Sequence, residues 1–151
     1  MPYGIARNDI EPGAIIPSKL GTELERYSKT FFLAEIAADS DALVIPLWKP
    51  PYAITIKRIL MGVDTTVTAQ DTDYNKIDIT DGTNIIATVS TGPAATGTTL
   101  TAGAFTTLTL DADYVAIANT ETIKVDFTKT GNGLAMSGLN IQIDYEIDDP
   151  S

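Results

Sequence analysis

The feature that most constrains this chain is a period of two. Ile123, Val125 and Phe127 alternate with Lys124, Asp126 and Thr128, and Leu139, Ile141, Ile143, Tyr145 and Ile147 alternate with Asn140, Gln142, Asp144 and Glu146. Successive strand side chains point to opposite faces, so such segments bury one face and wet the other. The pattern recurs upstream. Residues 30–36 and 43–47 are short apolar runs. Ile54 and Ile56 alternate with polar neighbours, and Ile59 and Met61 continue on the shifted parity, which predicts a bulge near Lys57 and Arg58. Ile77 and Ile79 lead into Asp81-Gly82, a hairpin signal, with Ile85, Ala87 and Val89 on the return strand. Leu108 and Leu110 add another. Roughly eight half-apolar strands need a second sheet over each first one. The expected fold is all-β, an antiparallel β-sandwich. Pro46 and Pro50-Pro51 around Trp48 place that stretch at an edge or corner.

The first residues read differently. Pro2, Pro12 and Pro17 are interspersed with Gly4, Gly13 and Gly21, which prevents a regular helix or central strand. Yet Tyr3, Ile5, Ile10, Ile15, Ile16 and Leu20 recur through the segment, and a plain disordered tail is depleted in such residues. An extended N-terminal arm with these six as docking anchors is expected over 1–29, followed by the sandwich domain over 30–151. Thr22-Glu23-Leu24-Glu25 has the spacing of a capping box and predicts a short helical start through Tyr27 and Ser28.

Charge and composition exclude several kinds of chemistry. The net charge is −10, from 20 acids and 10 bases. Four of each lie in residues 1–30, which leaves sixteen acids against six bases beyond. Such a body repels phosphate backbones, so no nucleic-acid partner is expected. The chain has no cysteine and no histidine. Disulfides, thiolate catalysis and His-based triads are thereby removed, and a zinc site with them. No apolar run reaches the roughly 18 residues of a membrane helix, and Met1-Pro2-Tyr3-Gly4 does not open a secretory leader.

The remaining constellations are modest. Asp71-Thr72-Asp73 and Asp111-Ala112-Asp113 offer hard oxygen ligands, but calcium takes six to eight and the rest of a calcium loop is missing. Polar turns are the expectation for both, with no metal or cofactor. The glycine-rich stretches 91–97 and 130–133 lack phosphate-loop spacing and read as turns. Phe31, Phe32, Trp48 and Tyr52 are read first as core, then as a subunit interface or a sugar platform. Acidic Asp144, Glu146, Asp148 and Asp149 are read as blunting an exposed sheet edge. A hydrolase working through Asp and Glu alone would need two facing carboxyl groups with one pKa raised. No enzyme is expected.

From Tyr52 to Ile147 the chain resembles the small β-sandwich virion proteins of tailed bacteriophages, those that decorate the head or serve as minor capsid components. The residues that carry this are Pro51-Tyr52-Ala53-Ile54-Thr55-Ile56, Val63-Asp64-Thr65-Thr66-Val67-Thr68-Ala69 and Asp71-Thr72-Asp73-Tyr74-Asn75. Leu100-Thr101-Ala102-Gly103, Leu108-Thr109-Leu110 and the run from Ile123 through Gly133 follow, then Leu139 to Glu146. The match is of style and segment order over about two-thirds of the chain, and the arm lies outside it. The resemblance implies a jelly-roll-like sandwich, assembled as a homotrimer on the virion's capsid surface. There it would cement the major capsid protein, with the N-terminal extension reaching a neighbour or the shell. The alternative is a receptor- or carbohydrate-binding module of a phage fibre or cell-surface protein.

Overall fold

The computed structural model describes residues 26–38 and 42–148. Their strands are β1 (Arg26–Phe32), β2 (Leu43–Trp48), β3 (Ile54–Gly62), β4 (Tyr74–Thr80), β5 (Ile85–Ser90), β6 (Phe105–Leu108), β7 (Ala116–Ile117), β8 (Ile123–Thr130) and β9 (Asn140–Ile147). No helix occurs among the described residues, hence none long and apolar enough to cross a membrane.

The pairing is nested. β4 pairs with β5, β3 with β6, β2 with β8 and β1 with β9, all antiparallel. The chain is thus one long ribbon doubled back at the β4–β5 hairpin. Rolling that ribbon joins β9 to β3 and β8 to β4. The result is two sheets, ordered β1-β9-β3-β6 (with β7 also on β3) and β2-β8-β4-β5. This is the strand order of a jelly roll, and it separates the fold from an immunoglobulin-like sandwich.

Burial follows the alternation. Ile54, Ile56, Ile59 and Met61 of β3 turn inward, with Ile77 and Ile79, Ile123 and Val125, and Ile141 and Ile143 from the other central strands. The β3 register shifts between Ile56 and Arg58, where the parity change predicts it. That bulge keeps both halves of the strand facing the core. β2 is an edge strand that shifts register between Pro46 and Trp48, as its prolines require.

Three sequence expectations are corrected. Tyr27 and Ser28 are extended in β1, not helical, because β9 offers them a full antiparallel ladder. Thr22 and Glu25 lie outside the described residues. In β5 a register shift opposite Ile79 and Thr80 buries Ile86 and leaves Ile85 exposed. Finally, Asp144 and Glu146 do not blunt an edge, since β9 lies between β1 and β3. The first strand begins at Arg26, so residues 26–29 belong to the sheet.

The two lateral sides of the roll differ. On one side the chain between β6 and β7 leaves its sheet. There Leu110 bridges to Ala87 of β5, and the Asp111 amide donates to the Ile86 carbonyl at 2.8 Å. The chain then returns where the Ile56 amide donates to the Val115 carbonyl at 2.8 Å. This excursion laces the sheets together. On the other side, among the described residues, no backbone hydrogen bond joins β1 to β2.

Candidate interaction surface

Two features of the β1–β2 side stand out. The first is a charged ladder on the outer face of the β1–β9–β3 sheet. The bulge sets Lys57 and Arg58 side by side. Lys57 Nζ lies 2.8 Å from Glu146 Oε2, and an Arg58 guanidinium nitrogen lies 2.6 Å from Asp144 Oδ2. From β1, Arg26 Nε donates to Glu146 Oε1 at 3.4 Å and Ser28 Oγ donates to Asp144 Oδ1 at 2.7 Å. Arg26, Ser28, Lys57, Arg58 and Asp144, with Tyr27 and Gln142, line a shallow cleft of about 510 Å³.

Partial burial pushes the Asp144 carboxyl up, but hydrogen bonds from Gln142, Ser28 and Arg58 outweigh it and hold its pKa below the ordinary value. The Lys57 hydrogen bond holds Glu146 low against slight desolvation, with Arg26 assisting. Asp144 and Glu146 therefore stay ionised, the opposite of what a general acid needs.

The second feature is an open seam. Tyr27, Lys29 and Phe31 face inward from β1, opposite Tyr145, Ile143 and Ile141. Leu43, Ile45 and Trp48 face inward from β2, opposite Phe127, Val125 and Ile123. The partners Ile141, Ile143, Ile123 and Val125 are fully buried. The edge residues are not: Tyr27 is 45% exposed and Leu43 38%, and Trp48 is only half-buried. Between the strands the Tyr27 and Tyr145 rings stack at 5.6 Å, and Trp48 lies 5.0 Å from Tyr145. Lys29 Nζ sits 4.6 Å over the Trp48 ring, a cation–π contact. Burial raises the Tyr145 pKa, with Tyr27 adding to it.

Of the four aromatics singled out in the sequence, Phe31 and Trp48 pack against the core from its margin, while Phe32 and Tyr52 are exposed. The sequence places Tyr145 on the apolar face of its strand but does not mark Tyr27 and Lys29 as its neighbours. The signal lies in the spacing Tyr27-x-Lys29-x-Phe31, but the capping pattern assigns Tyr27 to a helical start and the apolar run begins only at residue 30.

The acidic turns have structural work, that at 71–73 at the end of the sandwich away from Arg26. Asp71 Oδ1 accepts from the Ala94 amide and Asp73 Oδ1 from the Asn132 amide, both at 2.8 Å. The Asn75 side chain holds Leu134 by its amide and its carbonyl. The stretch 71–75 thus stitches both glycine-rich loops together. Asp111 Oδ1 accepts from the Asp113 amide in a local turn. Among the described residues, no three acidic side chains converge in a metal-binding arrangement. The anchors Tyr3, Ile5, Ile10, Ile15, Ile16 and Leu20 lie outside the described residues.

No protein-family model matches the chain, and no curated protein matches its sequence. Among solved structures it is similar to a chain in the structure of infectious bursal disease virus Gx strain. The identity is 12% and the TM-score 0.26, over 83% of the present chain and 37% of the viral one. The chain therefore spans little more than a third of that protein's length. At this score the assignment of the fold rests on the strand order.

Proposed function

We propose that the protein is a non-enzymatic virion component, a decoration protein that binds the outer head surface of a tailed bacteriophage as a homotrimer and stabilises the shell. The observation that carries this reading is the jelly roll with apolar side chains left exposed along its edge strands. Phe32 and Val44 lie on the edge strands β1 and β2, and Ile85 and Phe105 on the edge strands β5 and β6. A sandwich of this kind has surface to bury against neighbours. Its partners would be the major capsid protein and further copies of itself, with Tyr3 to Leu20 of the arm reaching a neighbour or the shell. Binding only the assembled shell would stabilise it by mass action.

Light scattering coupled to size exclusion tests the first half. A trimer of the 16.1 kDa chain runs at about 48 kDa. Co-sedimentation with shells of the major capsid protein from the same genome tests the second. Binding that protects the shells from heat supports the reading, and its absence under conditions that keep the protein folded removes it. One observation favours a second reading, a carbohydrate-binding module: the half-exposed Tyr27, Tyr145 and Trp48 rings offer a stacking surface for sugars. A glycan array separates the two.

A further inference from the structure

The larger sheet ends in β1 on one side and in β6 and β7 on the other. We propose that the β1 edge of one subunit docks against the β6–β7 edge of a second copy of this chain, head to tail. This contact names the surfaces of the self-association proposed above, and its closure into a ring of three rests on that reading.

The ladder sets the heights of the two edges. One rung runs Phe32–Asn140–Gly62–Phe105 across the sheet. Both of its ends are exposed phenylalanines, Phe32 at 77% and Phe105 at 53%. A second rung runs Arg26–Glu146–Thr55–Ala116. One end is exposed Arg26, and the other directly follows the exposed turn Asp111-Ala112-Asp113-Tyr114. Each edge therefore bears a charge at one height and an aromatic ring at another, in the same order, and the charges are opposite.

The opposition extends beyond single residues. β1, β3 and β9 together carry Arg26, Lys29, Lys57 and Arg58 against Asp144 and Glu146. Residues 105–122 carry Asp111, Asp113 and Glu121 and no base. Neither Asp111 nor Asp113 forms an ion pair with a described residue. A twofold contact between like edges would set base against base or acid against acid, at a cost in free energy. A head-to-tail contact sets base against acid. Rotation about an axis along the strands carries no shift in height, so a closed ring needs edges that match level for level. The two rungs meet that requirement.

Four variants are compared with the full chain: Arg26→Glu with Lys29→Glu, Asp111→Lys with Asp113→Lys, the fourfold combination, and Phe32→Asp. Circular dichroism establishes that each is folded. Light scattering over a dilution series reads the concentration at which the assembly half-dissociates. Each double reversal should raise that concentration by about tenfold or more, and the fourfold combination should bring it back towards the full chain's. Phe32→Asp should raise it likewise, without a loss of folded structure. The two edges are tested separately, so one reversal that does not fold leaves the other decisive. Unchanged dissociation in a folded double reversal and in Phe32→Asp overturns the contact and leaves a trimer built through other surfaces. A fourfold combination no tighter than either double reversal also overturns it. A full chain that is monomeric at every concentration overturns the contact and the trimer together. A mass that climbs with concentration, and falls in the reversals, upholds the contact and removes the closed trimer. Capsid binding that fails while the reversals act as expected removes the decoration reading and leaves the contact standing.

Discussion

Two carboxylates face each other at Asp126 of β8 and Asp78 of β4, directly opposite in the ladder. Asp78 is served by Lys76 Nζ at 2.7 Å and by the Thr88 hydroxyl. Asp126 Oδ1 is buried with no hydrogen-bond partner. Like charges across a ladder destabilise, and an unsatisfied buried oxygen adds its desolvation cost. Asp126→Thr places a β-branched strand former at the same position and removes the carboxylate that carries both penalties. It should raise stability by about 1 kcal/mol in denaturant titration; an unchanged or lowered midpoint would show that Asp126 is compensated. The reverse case is Gly131. Its φ is +60°, and a Cβ there would collide with the Thr72 carbonyl and with Asp73 Oδ1, which accepts from the Asn132 amide of the loop. Gly131→Ala should cost about 2 kcal/mol, measured the same way. A neutral result would mean that the loop yields.

At the scale of elements, the ladder from β1 through β9 to β3 sets the acid response. Asp144, Glu146 and the hairpin residue Asp81 all have folded pKa values below their ordinary ones. For Asp81, burial raises the pKa, and the Asn84 and Thr83 hydrogen bonds overcome it. Groups depressed in this way stabilise fully above the ordinary carboxylate range, about 4, and lose that contribution as pH falls through the folded values. With no histidine in the chain, Tm should be flat from neutral pH to about 5 and drop below about 4. A Tm that held to strongly acidic pH would contradict the ladder's role.

Elements with one buried face were legible in the sequence. The shift from Ile56 to Ile59 located the bulge because parity is strict where a face is buried. β1 was misread because its capping pattern is local, whereas its partner β9 lies more than a hundred residues away. The β5 irregularity leaves no mark, since Ile85 and Ile86 are equally apolar. The seam was out of reach for the same reason as β1: Trp48 and Tyr145 meet only after the ribbon rolls up.

At the scale of the molecule, nested pairing means that almost every ladder closes a long loop. Closure entropy must be met before the contacts reward it, so refolding should take milliseconds to seconds and not microseconds. Stopped-flow mixing followed by Trp48 emission measures this; a microsecond phase carrying the full amplitude would contradict the pairing scheme. The nesting has one more consequence. Because Arg26 pairs with Glu146, the chain comes into the sandwich and leaves it at neighbouring points on one end. The stitched loops at 91–97 and 130–134 lie at the other end. The domain therefore has a base and a crown. If the arm faces a shell, a foreign peptide grafted at the exposed Ala95 and Thr96 would be carried on the crown, outward, while one fused after residue 148 would be trapped at the base.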